Sequence, residues 1–252
     1  EIVDTEEEYD QFDLARFNPS GKYTLVVSLG GDGTALKAMK LVFCSNQFFD
    51  VLPIGSGRVG YLVSPIESFS SILDEYLQPL VSKTLRERHL GDNYIKRKPI
   101  LQNGNYDLPA FNEVVIIKNS PTRLLDLLIE TYDQKIKLRA DGIIISTSLG
   151  STAYNYSAGG PIVQNDIDSI VVTPISPFSK FPRSIVLSGK SKITVTIPKN
   201  QNYAIQFDGV VEVQEKNEEK IVYEYELSEK SINVIGHDNK PKIDNFLNQI
   251  LR

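Results

Sequence analysis

The chain has 252 residues, 41% hydrophobic and 23% charged, which is typical of a globular enzyme with one large domain or two smaller ones. Its formal net charge of −5 argues against a nucleic-acid partner, and no apolar run is long enough to span a membrane. The single cysteine, Cys44, cannot form an internal disulfide, which favours a reducing, cytoplasmic location.

Residues 1–98 have the pattern of an α/β lobe with a parallel sheet. The apolar run 23–29 predicts a strand buried on both faces, and 51–54 predicts a second strand. Between them, helical spacing places one apolar face on Ala35, Ala38, Met39, Val42 and Phe43. Ser64-Pro65-Ile66-Glu67 resembles a capping box, which predicts a second helix. The apolar face of that helix would comprise Phe69, Ile72, Leu73, Tyr76, Leu77 and Leu80.

Residues 99–237 have the strand periodicity of a β-rich, sandwich-like second lobe. The predicted strands are 110–118, 124–132, 143–146, 184–188, 192–197, 203–207 and 221–227. Helical spacing returns in the last segment, 238–252, where Pro241 is suited to begin a helix. The apolar face of that helix would comprise Ile243, Phe246, Leu247, Ile250 and Leu251.

A glycine-rich turn, Gly30-Gly31-Asp32-Gly33-Thr34, lies where the first strand ends and a helix begins. The glycines allow a ligand close to the backbone, and the N–H groups of a helix N-terminus attract phosphate. The negative charge of an aspartate among them would repel that anion. Its presence is explained if the carboxylate accepts a proton from a hydroxyl that attacks the phosphate. The alternative is that Asp32 caps the helix, and this turn alone does not decide between the two.

A second glycine-rich turn, Gly55-Ser56-Gly57-Arg58-Val59-Gly60, matches the dinucleotide fingerprint of dehydrogenases. Tyr61-Leu62-Val63 separates it from the next helix, however, which disfavours a dehydrogenase and favours a turn lining a cleft. Gly57 and Arg58 are candidate ligand contacts in this turn. Gly189-Lys190-Ser191 resembles the end of a P-loop but lacks the required upstream glycine, so we interpret it as a hairpin turn.

A third dense stretch begins at Arg139-Ala140-Asp141-Gly142 and reaches Gly150-Ser151-Thr152-Ala153-Tyr154. A strand leads there into a turn of small hydroxyl residues and a short helix. Ser151 and Thr152 could cap the helix or hydrogen-bond a ligand. Tyr154 could stack on a base, although core packing is the commoner role of a tyrosine.

Taken in order, these motifs resemble the NAD kinase family over residues 23–235. The resemblance runs from GGDGT through Phe111-Asn112-Glu113, Asp141-Gly142, GSTAYNYSAGGPIV and TPISP to Asp208-Gly209. GGDGT alone also occurs in lipid kinases and phosphofructokinases, whereas its combination with GSTAY is specific. The family phosphorylates the 2′-hydroxyl of the adenosine ribose of NAD, using ATP with Mg²⁺.

The resemblance implies a role for each matching residue. Asp32 matches the general base, with Gly31, Gly33 and Thr34 beside it at the phosphates. Asn112 and Glu113 match the pair that holds the adenosine.

In the GSTAY turn, Thr152, Ala153 and Tyr154 match the adenine and ribose pocket, with Ser151 beside them. Asp141 matches an acid that contacts the dinucleotide, often across a subunit boundary. Arg139 matches a basic residue near the product's 2′-phosphate. Asp208 matches an acid near the nicotinamide end, although the Asp-Gly of a hairpin turn explains it equally well.

The resemblance further implies an active site between the two lobes, a homo-oligomer (dimer or tetramer), and a C-terminal helix that returns to the N-terminal lobe. Two other functions remain open: a lipid kinase of the diacylglycerol kinase type, and a non-catalytic NAD(P)-binding protein. His89 and His237 lack partners at metal-ligand spacing, so we expect no protein-built metal site.

Three departures from the family pattern are visible. Gly55 stands where the family usually has Asn, which removes a polar contact at the phosphates. Ser148-Leu149 replaces the usual Pro-Thr, which could weaken NAD affinity or alter the preference for NADH. The family usually has a further strand and helix before the first strand seen here, and the chain opens at Glu1 without a start Met, so we expect either a trimmed N-terminus or a reduced N-terminal lobe.

Overall fold

The computed structural model describes residues 24–45, 49–55, 60–81, 94–132, 134–178, 183–216 and 219–236. The chain divides into two compact units, Glu1–Arg97 with Ser231–Arg252, and Lys98–Lys230. Within the described ranges, none of the helices has the length and hydropathy needed to cross a bilayer. The predictions for Gly57, Arg58 and the helix over 241–252 lie outside these ranges.

Three α-helices and seventeen strands are described, with short 3-10 helices at Ile66–Ser68 and Leu149–Thr152. The helices are α1 (Asp32–Cys44), α2 (Phe69–Val81) and α3 (Tyr154–Ser157). The strands are β1 (Thr24–Leu29), β2 (Phe49–Gly55), β3 (Ser64–Pro65), β4 (Tyr94–Arg97), β5 (Ile100–Gln102), β6 (Asn105–Ala110), β7 (Glu113–Lys118), β8 (Leu125–Thr131), β9 (Gln134–Ala140), β10 (Gly142–Thr147), β11 (Ser169–Ile175), β12 (Ile185–Ser188), β13 (Ile193–Ile197), β14 (Asn202–Phe207), β15 (Val210–Lys216), β16 (Ile221–Leu227) and β17 (Ile232–Ile235).

The first unit is an α/β lobe around a largely parallel sheet. Among the described residues the strand order is β1-β2-β17-β4, with β3 also paired to β2. β1, β3 and β17 pair with β2 in parallel, and β4 runs antiparallel to β17. Helix α1 packs on this sheet through four of the five residues of its predicted apolar face. The fully buried four are Ala35, Met39, Val42 and Phe43.

Two local predictions for this lobe are wrong. Strand β1 is not buried on both faces: Val27 is 37% and Leu29 63% exposed, and these two residues lie on the same face because side chains alternate along a strand. The capping box over 64–67 does not form either. Ser64 pairs with Ile54 as part of β3, and the following 3-10 helix begins after Pro65 without a side-chain cap.

Strand β17 was not identified from the sequence. It lies in the range assigned to the second lobe, yet it pairs with β2 and β4 in the sheet of the first unit. Asp50 of β2 accepts a hydrogen bond from the Asn233 amide at 2.9 Å and another from the Tyr76 hydroxyl at 3.2 Å. This buried carboxylate therefore ties β17 and α2 to the middle of the sheet.

The second unit is β-rich, with two six-stranded sheets among the described residues. Their strand orders are β12-β11-β10-β7-β14-β15 and β6-β5-β16-β13-β8-β9. Every pairing in both sheets is antiparallel. Side chains of both sheets form one hydrophobic cluster, as expected for a sandwich. β8 shows the period of two that produces it, because Leu125, Leu127 and Ile129 are buried and alternate with more exposed residues.

Two differences from the predicted strands bear on function. The predicted strand 110–118 is interrupted at Phe111-Asn112, which separates β6 from β7. Strand β11 was missed because Pro174 argues against a central strand. The proline is tolerated since β12 pairs with β11 only over residues 169–172, so no neighbour on that side needs an N–H from Pro174.

Candidate functional site

The GGDGT turn of the first unit places Asp32 at the first residue of α1. Gly31 precedes it in an extended conformation, and the helix has no side-chain cap. The Asp32 carboxylate instead accepts two backbone hydrogen bonds from a distant loop, from Tyr61 N–H at 2.8 Å and from Leu62 N–H at 2.9 Å. The N-cap interpretation is therefore wrong. Each carboxylate oxygen has a second lone-pair site, so both could still accept a proton.

Gly60 makes this contact possible. A Cβ atom built on Gly60 would lie 2.2 Å from Asp32 Oδ1 and 2.8 Å from Val63 Cγ2, distances at which the neighbours would have to move. Only glycine lets the backbone at 61–62 approach the carboxylate so closely. The sequence marks Gly60 as the last glycine of the second turn but gives no sign that it faces the first.

The departure at Gly55 also has a structural counterpart. Gly55 is the buried last residue of β2, and a Cβ there would lie 2.9 Å from Val63 Cγ2. With Val63 in this position, the asparagine that is usual in the resembled family would not fit. The missing polar side chain is thus matched by a valine that occupies its space.

In the second unit, Asp208 organises the break between β6 and β7. Its carboxylate accepts hydrogen bonds from the backbone N–H groups of Phe111 at 3.0 Å, Asn112 at 2.7 Å and Glu113 at 3.1 Å. Asp208 also begins the Asp-Gly turn between β14 and β15, which confirms the hairpin interpretation, whereas its contact near the nicotinamide end stays a prediction. The carboxylate satisfies three amides that a regular ladder would have paired, which explains the interruption.

The opposite side of this segment is fixed by the end of β10. Thr147 donates its backbone N–H to Asn112 O at 2.9 Å and its hydroxyl to Phe111 O at 2.6 Å. Gly150 then packs directly on the peptide, since a Cβ there would lie 2.1 Å from Asn112 O. The Asn112 backbone is therefore held between Asp208 and the start of the GSTAY turn.

Asn112 and Glu113 differ in accessibility. The Asn112 side chain is half-buried, and its amide hydrogen-bonds to no group in the part of the chain that the structure describes. Glu113 is only 6% exposed, because it is already the first residue of β7. Asn112 is therefore accessible to a ligand, whereas Glu113 is buried.

The GSTAY turn comprises a 3-10 helix, Leu149–Thr152, followed by α3. Ser151 is fully buried, and its hydroxyl accepts the Val163 N–H at 3.0 Å and donates to Val163 O at 3.2 Å, so it stabilises the fold. Thr152 and Ala153 are partly exposed. Tyr154 is 37% exposed, which excludes the core alternative for this tyrosine.

Arg139 and Asp141 lie away from this segment within one chain. Glu113 pairs with Ser146 at one end of the β7–β10 ladder, whereas Asp141 precedes β10 at the other end. Glu113 is thus level with Ser146, and at about 3.3 Å per residue along the strand Asp141 lies roughly 15 Å away from it. Its carboxylate forms an ion pair with Lys118 Nζ at 2.5 Å.

Arg139 projects from β9 into a groove of about 770 Å³. The Arg139 side chain is 58% exposed, and its Nε lies 3.7 Å from Asp126 Oδ1. Arg123 and Lys199 also line this groove, so basic side chains outnumber the acidic one there. No single stretch of the sequence marks this groove, because its lining residues come from four separate segments.

Comparison with known proteins identifies relatives over most of the chain. Residues 111–235 match the family model described as the ATP-NAD kinase C-terminal domain. An NAD kinase of Bacteroides fragilis is 32% identical over 232 residues, 90% of this chain and 76% of the relative. A bifunctional NADP phosphatase/NAD kinase of Methanocaldococcus jannaschii is 30% identical over 217 residues, 85% of this chain. The matched region is 36% of that longer relative.

The fold is also found among solved structures. The crystal structure of an NAD kinase from Archaeoglobus fulgidus in complex with ATP superposes with a TM-score of 0.71 at 22% identity. The match covers 99% of this chain and 96% of the other. The fold, with an α/β unit and a β-rich unit, is thus found in a solved NAD kinase.

Proposed function

The chain belongs to the NAD kinase family, and we propose that it transfers the γ-phosphoryl group of ATP to the 2′-hydroxyl of the adenosine ribose of NAD. The products are NADP and ADP. Family membership favours this reaction over a lipid kinase and over a non-catalytic NAD(P)-binding protein. The observation that carries the proposal is the Asp32 carboxylate, which lies at the N-terminus of α1 without capping it.

In this proposal Asp32 is the general base. The ribose oxygen attacks the γ-phosphorus, the bond from that phosphorus to the bridging oxygen of ADP breaks, and the hydroxyl proton passes to the carboxylate. The N–H groups of Gly31, Gly33 and Thr34 at the start of α1 supply the positive end of a helix dipole for phosphate. Two backbone hydrogen bonds from Tyr61 and Leu62 restrict the carboxylate to one orientation, which lowers the entropic cost of proton transfer.

Mg²⁺ enters with ATP in this proposal. In the described ranges, no three His, Cys, Asp or Glu side chains lie close enough together to hold a metal ion. Enzymes that transfer phosphoryl groups commonly bind Mg²⁺ through the nucleotide phosphates and one or two carboxylates. The GGDGT turn offers one carboxylate, that of Asp32. A single protein carboxylate suits a Mg²⁺ ion whose other ligands are ATP phosphates and water.

The dinucleotide side of the proposal involves Asn112 and the exposed part of the GSTAY turn. The Asn112 amide has hydrogen-bonding groups left for a ligand, while Asp208 and Thr147 fix its backbone. Thr152, Ala153 and Tyr154 supply a partly exposed surface next to Gly150. Because Glu113 is buried, it would contact the dinucleotide only if the site opens on binding. Otherwise it would act indirectly, by positioning Asn112.

A coupled assay tests the function directly. We expect NADP to form when the protein is incubated with ATP, Mg²⁺ and NAD, and excess EDTA to abolish the signal. Diacylglycerol offered in place of NAD should give no phosphorylated product. Phosphorylation of the lipid but not of NAD would refute the proposal, and NAD binding without turnover would favour the non-catalytic alternative.

Asn112→Ala should reduce kcat/KM for NAD by at least about tenfold, because the lost contact is to a polar group buried on binding. The effect should appear in the KM for NAD and not in the KM for ATP. Asn105→Ala is the control, since Asn105 is exposed and bonds only to the local Asp107 N–H. Kinetics of the Asn112 variant equal to those of the wild type would remove this residue from the site.

We also propose a homo-oligomer, dimer or tetramer, in a cytoplasmic setting. The roughly 15 Å between Asp141 and Glu113 within one chain supports a dinucleotide contact from a second copy. Light scattering of the purified protein measures the oligomer size. The sequence holds a single cysteine, Cys44, which cannot form an internal disulfide; this supports a reducing compartment, which localisation in the source cell would test.

A further inference from the structure

A buried amide lies directly behind the GSTAY turn. Asn155 of α3 is fully buried, and its Nδ2 donates to Ser151 O and to Pro161 O, both at 3.0 Å. Its Oδ1 accepts the Thr173 hydroxyl at 2.7 Å. Both amide protons and the amide oxygen therefore have partners, a state that buried polar groups need.

These contacts hold the turn at both of its ends. Ser151 precedes the exposed residues Thr152, Ala153 and Tyr154, and Pro161 follows the helix that they begin. Between these anchors Tyr154 is exposed, and Thr152 and Ala153 are partly exposed. The Asn155 amide therefore determines where that exposed surface lies relative to the sheet.

Thr173 links the amide to the sheet itself. It is fully buried on β11, opposite Ile144 of the central strand β10. Its hydroxyl lies 2.7 Å from Asn155 Oδ1 and 3.0 Å from Ser184 Oγ, so it donates to the amide while Ser184 donates to it. Among the described residues, hydrogen bonds thus run from Ser184 through Thr173 to Asn155, and the Thr173 hydroxyl has a partner on each side.

We propose that Asn155 and Thr173 are positioning residues that set the affinity for the dinucleotide by fixing residues 152–154. The inference rests on the proposed function, because it assumes that this surface receives NAD. Removing the Thr173 hydroxyl leaves the Asn155 oxygen buried without its donor, and the penalty is relieved if the turn shifts. A shifted turn presents Thr152 and Tyr154 in the wrong place, while the GGDGT turn is unaffected.

Thr173→Val and Thr173→Ser form the test pair. Valine keeps the shape of threonine and loses the hydroxyl, whereas serine keeps the hydroxyl and loses a methyl group. We expect Thr173→Val to raise the KM and the Kd for NAD about tenfold with an unchanged KM for ATP. Thr173→Ser should restore values close to those of the wild type.

Thermal melting separates positioning from general stability. A purely structural role would lower the melting temperature and the active fraction but leave the NAD affinity of the folded fraction unchanged, and that result would overturn the inference. So would equal losses of affinity in both variants, because serine keeps the hydroxyl and the loss would then not depend on the hydrogen bond to Asn155. If Thr173→Val does not fold, Asn155→Ser replaces it, with the same increase in the KM for NAD expected.

Calorimetric titration of NAD without ATP keeps this inference separate from the proposed function. A wild-type protein that binds NAD but forms no NADP would refute the kinase proposal, and the comparison of Kd values between Thr173→Val and Thr173→Ser would still decide the positioning role. A wild-type protein that binds no NAD would overturn both.

Discussion

Asp32→Asn is expected to reduce kcat by about 10²–10⁴-fold, the range typical of a lost general base. Asparagine has the size of aspartate but cannot accept the ribose proton. It also presents an NH₂ group to either Tyr61 N–H or Leu62 N–H, so one of the two backbone hydrogen bonds is lost. The KM for NAD should change little, because the one contact assigned between Asp32 and NAD, proton transfer from the 2′-hydroxyl, is made in the transition state.

The two roles of Asp32 are separated by which parameter changes. A lost general base lowers kcat, whereas a loosened loop at 61–62 should raise the KM for ATP and lower the melting temperature. The lost hydrogen bond by itself would cost about 1 kcal/mol, far less than the loss expected in kcat. Retention of most of the turnover together with a raised KM for ATP would show that Asp32 positions the loop and is not the base.

Gly60→Ala should lower kcat by on the order of 10²-fold without any change to an ionisable group. The new Cβ would lie 2.2 Å from Asp32 Oδ1, so the carboxylate or the backbone at 60–62 must move by about 1 Å. Displacements of that size are enough to cost about two orders of magnitude when a reaction depends on orientation.

Gly236→Ala is the matched control in the same unit, because among the described residues no atom lies within 4 Å of a Cβ on Gly236. Its kinetics should equal those of the wild type, which removes the general effect of a glycine-to-alanine change on the unfolded chain. Pairing kcat with a melting curve for both variants distinguishes a displaced base from a destabilised lobe. Wild-type kcat in Gly60→Ala would mean that the Asp32 contact with 61–62 has no part in the reaction.

Much of the fold follows from local patterns. The buried face of α1 and the alternation of β8 depend on spacing along a single element, which the sequence displays directly. The motif order likewise identified the family that the comparisons show, since each motif is contiguous. Two of the missed strands, β11 and β17, could not be found from local patterns. Pro174 contradicts the strand pattern of β11, and β17 is placed by its pairing with β2 and β4, which are distant in the sequence but lie in the same unit.

The chemistry of the site was decided by the tertiary structure. Asp32 meets amides about 30 positions away, and Asp208 meets amides more than 90 positions away. Every residue except proline carries such an N–H, so no side-chain pattern in the sequence marks the partner. The same holds for Gly60 and for Thr173, whose importance lies in what approaches them. The sequence by itself determined which residues can accept a proton or hydrogen-bond a ligand. Only the folded chain decided which of them are fixed by backbone hydrogen bonds, which are buried and which stay exposed for a ligand.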